Sequence, residues 1–307
     1  MTDDHGSPDA DVETDGQGNG AHWGDGASGH AGGREYWDAL AKPFWYYDRI
    51  SAYAADFIDG MGLRPGETVL DMGCGSGTLA IPLHDMGHRV TGVDFSPKML
   101  ESVRDVIDAE GISGIDLVEA SWEDDWDSAG IPVCDLAVAS RSLWGDVGDG
   151  VRKLDSRAVR RVCLTVEAAP SMFQAPGLAR CLGRDALPPS GHLEAVIAAA
   201  MDLGRQPEVS YIRSRRIDVY GTRELVLDHL EKRIGGLAGS ERGAFEEYCS
   251  LHVVEHTGAG GEADGWYCDD GTESAWAFVS WDKNPYDGCR IETRYHGRDR
   301  SDSSGGR

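Results

Sequence analysis

An aspartate followed by glycines at three alternate positions, Asp71-x-Gly73-x-Gly75-x-Gly77, carries the clearest chemical signal in this 307-residue chain. It follows Val69-Leu70, which reads as the end of a buried strand, and precedes Thr78-Leu79-Ala80-Ile81, which reads as the start of a helix. Glycine lets the backbone turn tightly and leaves N–H groups bare to a ligand. The first turn of a helix adds donors without intrahelical partners and a partial positive charge. Such a loop holds the polar end of a nucleotide-like cofactor. The spacing is neither the Gly-x-Gly-x-x-Gly of dinucleotide enzymes nor a phosphate loop ending in Gly-Lys. A carboxylate two residues before the first glycine would repel a pyrophosphate and suits a cationic amino group.

A second acid extends the pattern. Arg89-Val90-Thr91-Gly92-Val93-Asp94 reads as a short strand ending in a carboxylate, and an acid at that place suits the two hydroxyls of a ribose. Triplet, preceding acid and second strand-end acid together resemble the core of class I S-adenosylmethionine-dependent methyltransferases over residues 67 to 167. The resemblance implies that Asp71, Gly73, Gly75 and Gly77, with Cys74 in the same loop, cradle the methionine portion of that cofactor. It implies that Asp94 binds the ribose and that Phe95 lies beside the adenine. After the third strand, Ile115–Ala120, relatives carry an aspartate on the adenine amino group; here that position is Ser121, so the Ser121 hydroxyl, the Trp122 backbone or Glu123 would have to substitute. The fourth strand ends at Ser140, and the loop after it, Arg141-Ser142-Leu143-Trp144, reaches toward the cofactor in relatives. An N-terminal helix closes over the cofactor in the same family, which makes Tyr46 and Tyr47 candidates for contact.

No catalytic residue is fixed by the resemblance. Methyl transfer needs the acceptor aligned with an already activated methyl group, and a general base only if the acceptor starts protonated. Arg141, Trp144 and Glu167 follow the carboxyl ends of predicted strands, so they are the candidates for facing the acceptor. The implied activity is methyl transfer to a small molecule. Two other classes stay open: a non-catalytic S-adenosylmethionine-binding or regulatory module, and a NAD-dependent oxidoreductase.

The elements that must position these residues are legible from periodicity. Strands are expected near 67–72, 89–94, 115–120, 134–140 and 161–167, and helices near 78–86, 97–110 and 148–158. Ser96-Pro97 supplies a cap and a first-turn proline. Repeated strand–helix units demand a parallel sheet with helices on both faces. The expected fold is therefore α/β, a doubly wound, mostly parallel, seven-stranded Rossmann-like sheet with an N-terminal helix and a helical lid-like insertion. Val209–Val219 and Ala275–Trp281 are expected to form an antiparallel pair at the sheet edge, as in relatives. Residues 168–190, with four prolines, read as a long loop, and 222–250 as two inserted helices. Residues 1–35 and 286–307 are too polar to bury a core and read as disordered tails, which leaves one domain at 36–285.

Composition narrows the partners. A net charge of −24 repels phosphate backbones and anionic lipid, so nucleic acid and membrane surfaces are not expected partners. Arg213, Arg215 and Arg216 make only a short basic cluster, read as a solvated face. The sequence has no apolar run long enough to span a membrane, and its acidic N-terminus has no signal-peptide core. The seven cysteines are scattered and odd in number, which fits a reducing cytoplasm. His252-x-x-Glu255-His256 has the spacing of one zinc protease class, but the two intervening valines favour a strand or turn over the single helical face that chemistry needs, so no metal is expected. A homodimer is an open option.

Overall fold

A computed structural model describes residues 34, 37, 38, 50–168, 175–184, 192–214, 219–257, 261, 263–271 and 273–284. The first labelled helix, α1 (Ala52–Gly60), is capped by the Ser51 side chain and buries Tyr53, Ala54, Phe57 and Ile58. The alternation that follows is β1 (Thr68–Met72), α2 (Ala80–Asp85), β2 (Arg89–Asp94), α3 (Pro97–Glu110), β3 (Ile115–Glu119), β4 (Cys134–Ser140), α4 (Val147–Arg157) and β5 (Ala158–Glu167). The Ser96 hydroxyl caps α3 by accepting from the Met99 amide at 3.1 Å, and Gly111 ends it with φ of 64°. Then come α5 (Pro176–Cys181), α6 (His192–Asp202), β6 (Glu208–Ser214), α7 (Arg223–Arg233), α8 (Arg242–His252), β7 (Val253–Thr257), β8 (Ala263–Cys268) and β9 (Ser274–Asp282).

Seven strands form one sheet in the order β3-β2-β1-β4-β5-β9-β6. The first five run parallel, and β9 pairs antiparallel with both β5 and β6. The chain reverses order at β1 and β4, and ligands bind outside the carboxyl ends of strands at such a switch point. Side chains alternate between two cores. Leu70, Met72, Ala137, Ala139, Val162 and Leu164 enter one. Val69, Leu136, Val138 and Cys163 enter the other. Both faces are covered, as a parallel sheet requires. On the antiparallel side, Phe57 meets the Phe278 ring edge-on at 5.1 Å, which seats α1 across β9.

The edge pair expected from sequence is present, with β6 over Glu208–Ser214 among the described residues. Two readings are corrected. Residues 176–181 of the expected long loop form α5, because Leu178 and Ala175 find an apolar cluster to join. The shallow helix start expected at Thr78 is delayed to Ala80, since Gly77 takes φ of 91° and holds the chain in a turn. The helices of the 222–250 segment pack with α5 and β7 around their own core of Leu178, Val226, Leu230, Phe245, Tyr248 and Val253. His252 ends α8 while Glu255 and His256 lie on β7, so they share no helical face, and no metal-binding cluster occurs among the described residues. Tyr46, Tyr47 and the two expected tails lie outside the described residues, apart from Arg34.

One buried carboxylate ties three elements together. Asp155 on α4 accepts from both Arg205 nitrogens at 3.0 Å, from Trp281 Nε1 at 2.9 Å and from Lys283 Nζ at 2.6 Å. Burial alone would raise its pKa, but these donors outweigh burial and hold it below the usual carboxylate range. Asp155→Ala leaves a partly buried guanidinium and ammonium short of a partner. The expected loss is about 3 kcal/mol of stability, read as a lower urea midpoint.

Candidate functional site

Asp71 ends β1 at the centre of the sheet, wholly buried, and neither carboxylate oxygen has a hydrogen-bond partner among the described residues. Burial, and then the neighbouring charge of Asp94, push its pKa up to about 7. The loop after it spends its donors internally. The amides of Gly73 and Cys74 both donate to the Val93 carbonyl, at 2.7 and 2.9 Å. Gly75 donates to Asp94 Oδ2 at 2.9 Å, and Gly77 to the Cys74 carbonyl at 3.0 Å. This corrects the expectation of bare N–H groups behind the glycines. With these donors occupied and a buried carboxylate unmatched, the loop favours a cationic group over a phosphate.

The glycines are required for different reasons. Gly73 has φ of 76°, and a Cβ there would lie 2.2 Å from the Ser142 Cβ. Gly77 would meet Ile81 at 2.9 Å. Gly75 has φ of 54° and nothing within 4 Å of an added Cβ, so its α-carbon borders open space that a ligand could fill. The Cys74 thiol is buried toward Gly92, not toward that space. Asp94 closes β2 with its plane fixed by the Gly75 amide and by the Ser96 amide at 2.9 Å. Ser96 in turn donates to Asp38 at 2.5 Å. Phe95 is partly exposed beside it.

At the end of β3, the Ser121 amide donates to Asp124 Oδ2 at 2.7 Å, which places a carboxylate beside Ser121. The Trp122 indole is buried, donates to the Ser142 carbonyl at 2.5 Å and leans on Trp126 at 5.3 Å. It braces two loops.

Beyond Ser140 the chain turns sharply. Arg141 has φ of 57°, a left-handed conformation that costs energy for a non-glycine residue. Its amide donates to Thr165 Oγ1 at 3.0 Å, and its guanidinium lies 4.0 Å from the Tyr53 ring centre and 5.7 Å from that of Trp276. The Tyr53 hydroxyl bridges Ser140 Oγ at 2.9 Å and Thr165 Oγ1 at 2.7 Å. Burial raises its pKa, against the pull of Arg141. A small pocket opens here, and the structure brings Arg141, Trp144 and Glu167 together in its wall. Leu143, Val166 and Trp276 give it apolar lining, and Thr165 and His192 complete it. Ser142, between two lining residues, donates to the Met72 carbonyl at 2.5 Å and abuts Gly73, so cavity and glycine loop are neighbours. Sequence reasoning missed Tyr53, Thr165, His192 and Trp276 as site residues. Their apolar or helical spacing reads as packing, and only strand order brings them together.

Residues 69–154 match the family model described as a methyltransferase domain. An uncharacterized protein of Haemophilus influenzae is 35% identical over 136 residues, 44% of this chain and 50% of its own length. The ribosomal protein L11 methyltransferase of Edwardsiella ictaluri is 40% identical over 65 residues, 21% of this chain and 22% of its own. Among solved structures, the YcgJ protein of Bacillus subtilis aligns with 76% of this chain and 98% of its own at 17% identity and a TM-score of 0.47. The chain thus contains a methyltransferase domain over residues 69–154. It spans about half the length of the first of these relatives.

Two substitutions probe the loop. Gly73→Ala forces a Cβ into Ser142 at positive φ and is expected to abolish cofactor binding or folding, seen by calorimetry and circular dichroism. Asp71→Asn removes a group whose folded pKa, about 7, lies above its ordinary 3.8. The raised value means the cost of Asp71 grows as pH rises from about 4 and is complete above about 7. The variant without cofactor should therefore gain roughly 4 kcal/mol at about pH 8 and little at about pH 4, measured as a pH-dependent difference in melting temperature.

Proposed function

We propose that this chain is an S-adenosylmethionine-dependent methyltransferase acting on a small molecule, with the acceptor in the cavity beside Arg141. The observation that carries this reading is the buried carboxylate of Asp71, without a protein partner among the described residues, two positions ahead of Gly73. The cofactor's amino group is a cation of the right sign to meet it, and the loop's internally spent amides leave little for a pyrophosphate. When bound, the cofactor supplies a methyl group already activated on a sulfonium.

The residues of this chain have the remaining tasks. Asp71 holds the amino end, Gly73, Gly75 and Gly77 let the loop pass close, and Asp94 takes the ribose hydroxyls while Gly75 and Ser96 keep its plane fixed. Phe95, Ser121 and the Trp122 backbone flank the adenine side. Ser140 and Tyr53 set the floor between cofactor and cavity. The net charge of −24 favours a small acceptor over RNA. A cytoplasmic location fits the free cysteines.

Calorimetric titration with S-adenosylmethionine and S-adenosylhomocysteine tests the reading. Wild type should bind both. Asp94→Ala should weaken both roughly 10- to 100-fold, the worth of charge-assisted bonds to two hydroxyls. Asp71→Asn should weaken them comparably, although it stabilises the empty protein. Folded wild type that binds neither ligand would overturn the proposal.

A further inference from the structure

His192 is the first residue of α6, half-buried in the cavity wall, with its ring edge-on to Trp144 at 6.3 Å. Neither ring nitrogen has a hydrogen-bond partner among the described residues. The charged groups near it are Arg141 and Glu167 in the same wall. On its own helix Glu194 is exposed, and on α4, which packs against α6, Asp155 is committed to Arg205 and Lys283. Nothing in the function proposed above uses this imidazole.

We propose that His192 is the proton acceptor for an aromatic hydroxyl acceptor that enters the cavity as a neutral molecule; this rests on the methyltransferase reading. Two observations converge on that class. The walls combine two indoles, Trp144 and Trp276, with Leu143 and Val166, which suits a flat ring. The strongly acidic surface disfavours an anion on approach, so a nucleophile that must become anionic is best ionised inside. Burial lowers the pKa of His192, which keeps the imidazole neutral and able to accept a proton. A phenolate formed beside it, with Arg141 in the same wall, restores by Coulomb attraction the proton affinity that burial removes.

The step balances. The hydroxyl proton passes to a ring nitrogen of His192 as the oxygen lone pair forms the new O–CH3 bond. The sulfonium–carbon bond pair returns to sulfur, and the imidazolium later yields its proton to water. The products are a methyl ether, a neutral thioether and one proton.

A chromogenic probe reads the proton transfer without turnover. Protein saturated with S-adenosylhomocysteine is titrated with 4-nitrophenol, and the phenolate band is followed against pH in wild type, His192→Gln and Trp144→Ala. In wild type the bound probe should ionise at lower pH than in solution. In His192→Gln it should still bind, with that shift reduced by about one pH unit, a tenfold change in the ionisation equilibrium. Trp144→Ala should weaken binding about tenfold. An equal shift in His192→Gln, or no 4-nitrophenol binding to the loaded protein, would overturn the assignment of His192 and leave the cofactor reading intact. Failure of folded protein to bind S-adenosylhomocysteine, measured first, would overturn both.

Discussion

Asp71 is the constraint around which this site is organised. A carboxylate taken wholly out of water needs donors or a counter-charge, and the described residues supply neither. Its neighbours make the position more demanding, because Asp94 adds a like charge. The glycine run could have offered amides, but each is already bonded to Val93, Asp94 or Cys74. Among the described residues, that leaves an unmet requirement for positive charge at the carboxyl end of the central strand. A cationic ligand group would satisfy it.

The segment from Ser140 to Trp144 joins this constraint to the cavity. Ser142 fills the space a side chain at Gly73 would occupy and ties itself to Met72. Arg141 points the other way, in a left-handed conformation held by Thr165 and by the faces of Tyr53 and Trp276. Alternate residues of one short loop therefore serve two sides of the site. Backbone strain at such a place persists only where the surroundings over-determine it. Tyr53 shows how: one hydroxyl spans β4 and β5 while its ring lies beneath the guanidinium.

The accessory core formed by α5, α7, α8 and the β7–β8 hairpin is separate from the two cores of the sheet. It is built from segments that follow β5. Its three cysteines, Cys181, Cys249 and Cys268, include two whose thiols burial pushes up to about 11, so they behave as small apolar residues and not as nucleophiles.

The parallel strands, the helix from Pro97 to Glu110 and the places of Asp71 and Asp94 near strand ends were legible in the chain alone, because each depends on residues close in sequence. Periodicity reports local burial, and a proline after a serine reports a helix start. The same locality explains the failures. Pairing of Gly75 with Asp94, occupation of the loop amides by Val93, and burial of Trp122 under Ser142 depend on contacts across roughly 20 residues or more, which no spacing rule encodes. The short helix at Pro176–Cys181 forms only because a distant cluster accepts Leu178. The cavity is the clearest case. Arg141, Glu167, His192 and Trp276 come from four segments, and they meet because β9 inserts antiparallel between β5 and β6 while α6 returns over α4. Residue types announced a cofactor loop; only the order of the strands decided which side chains would face it.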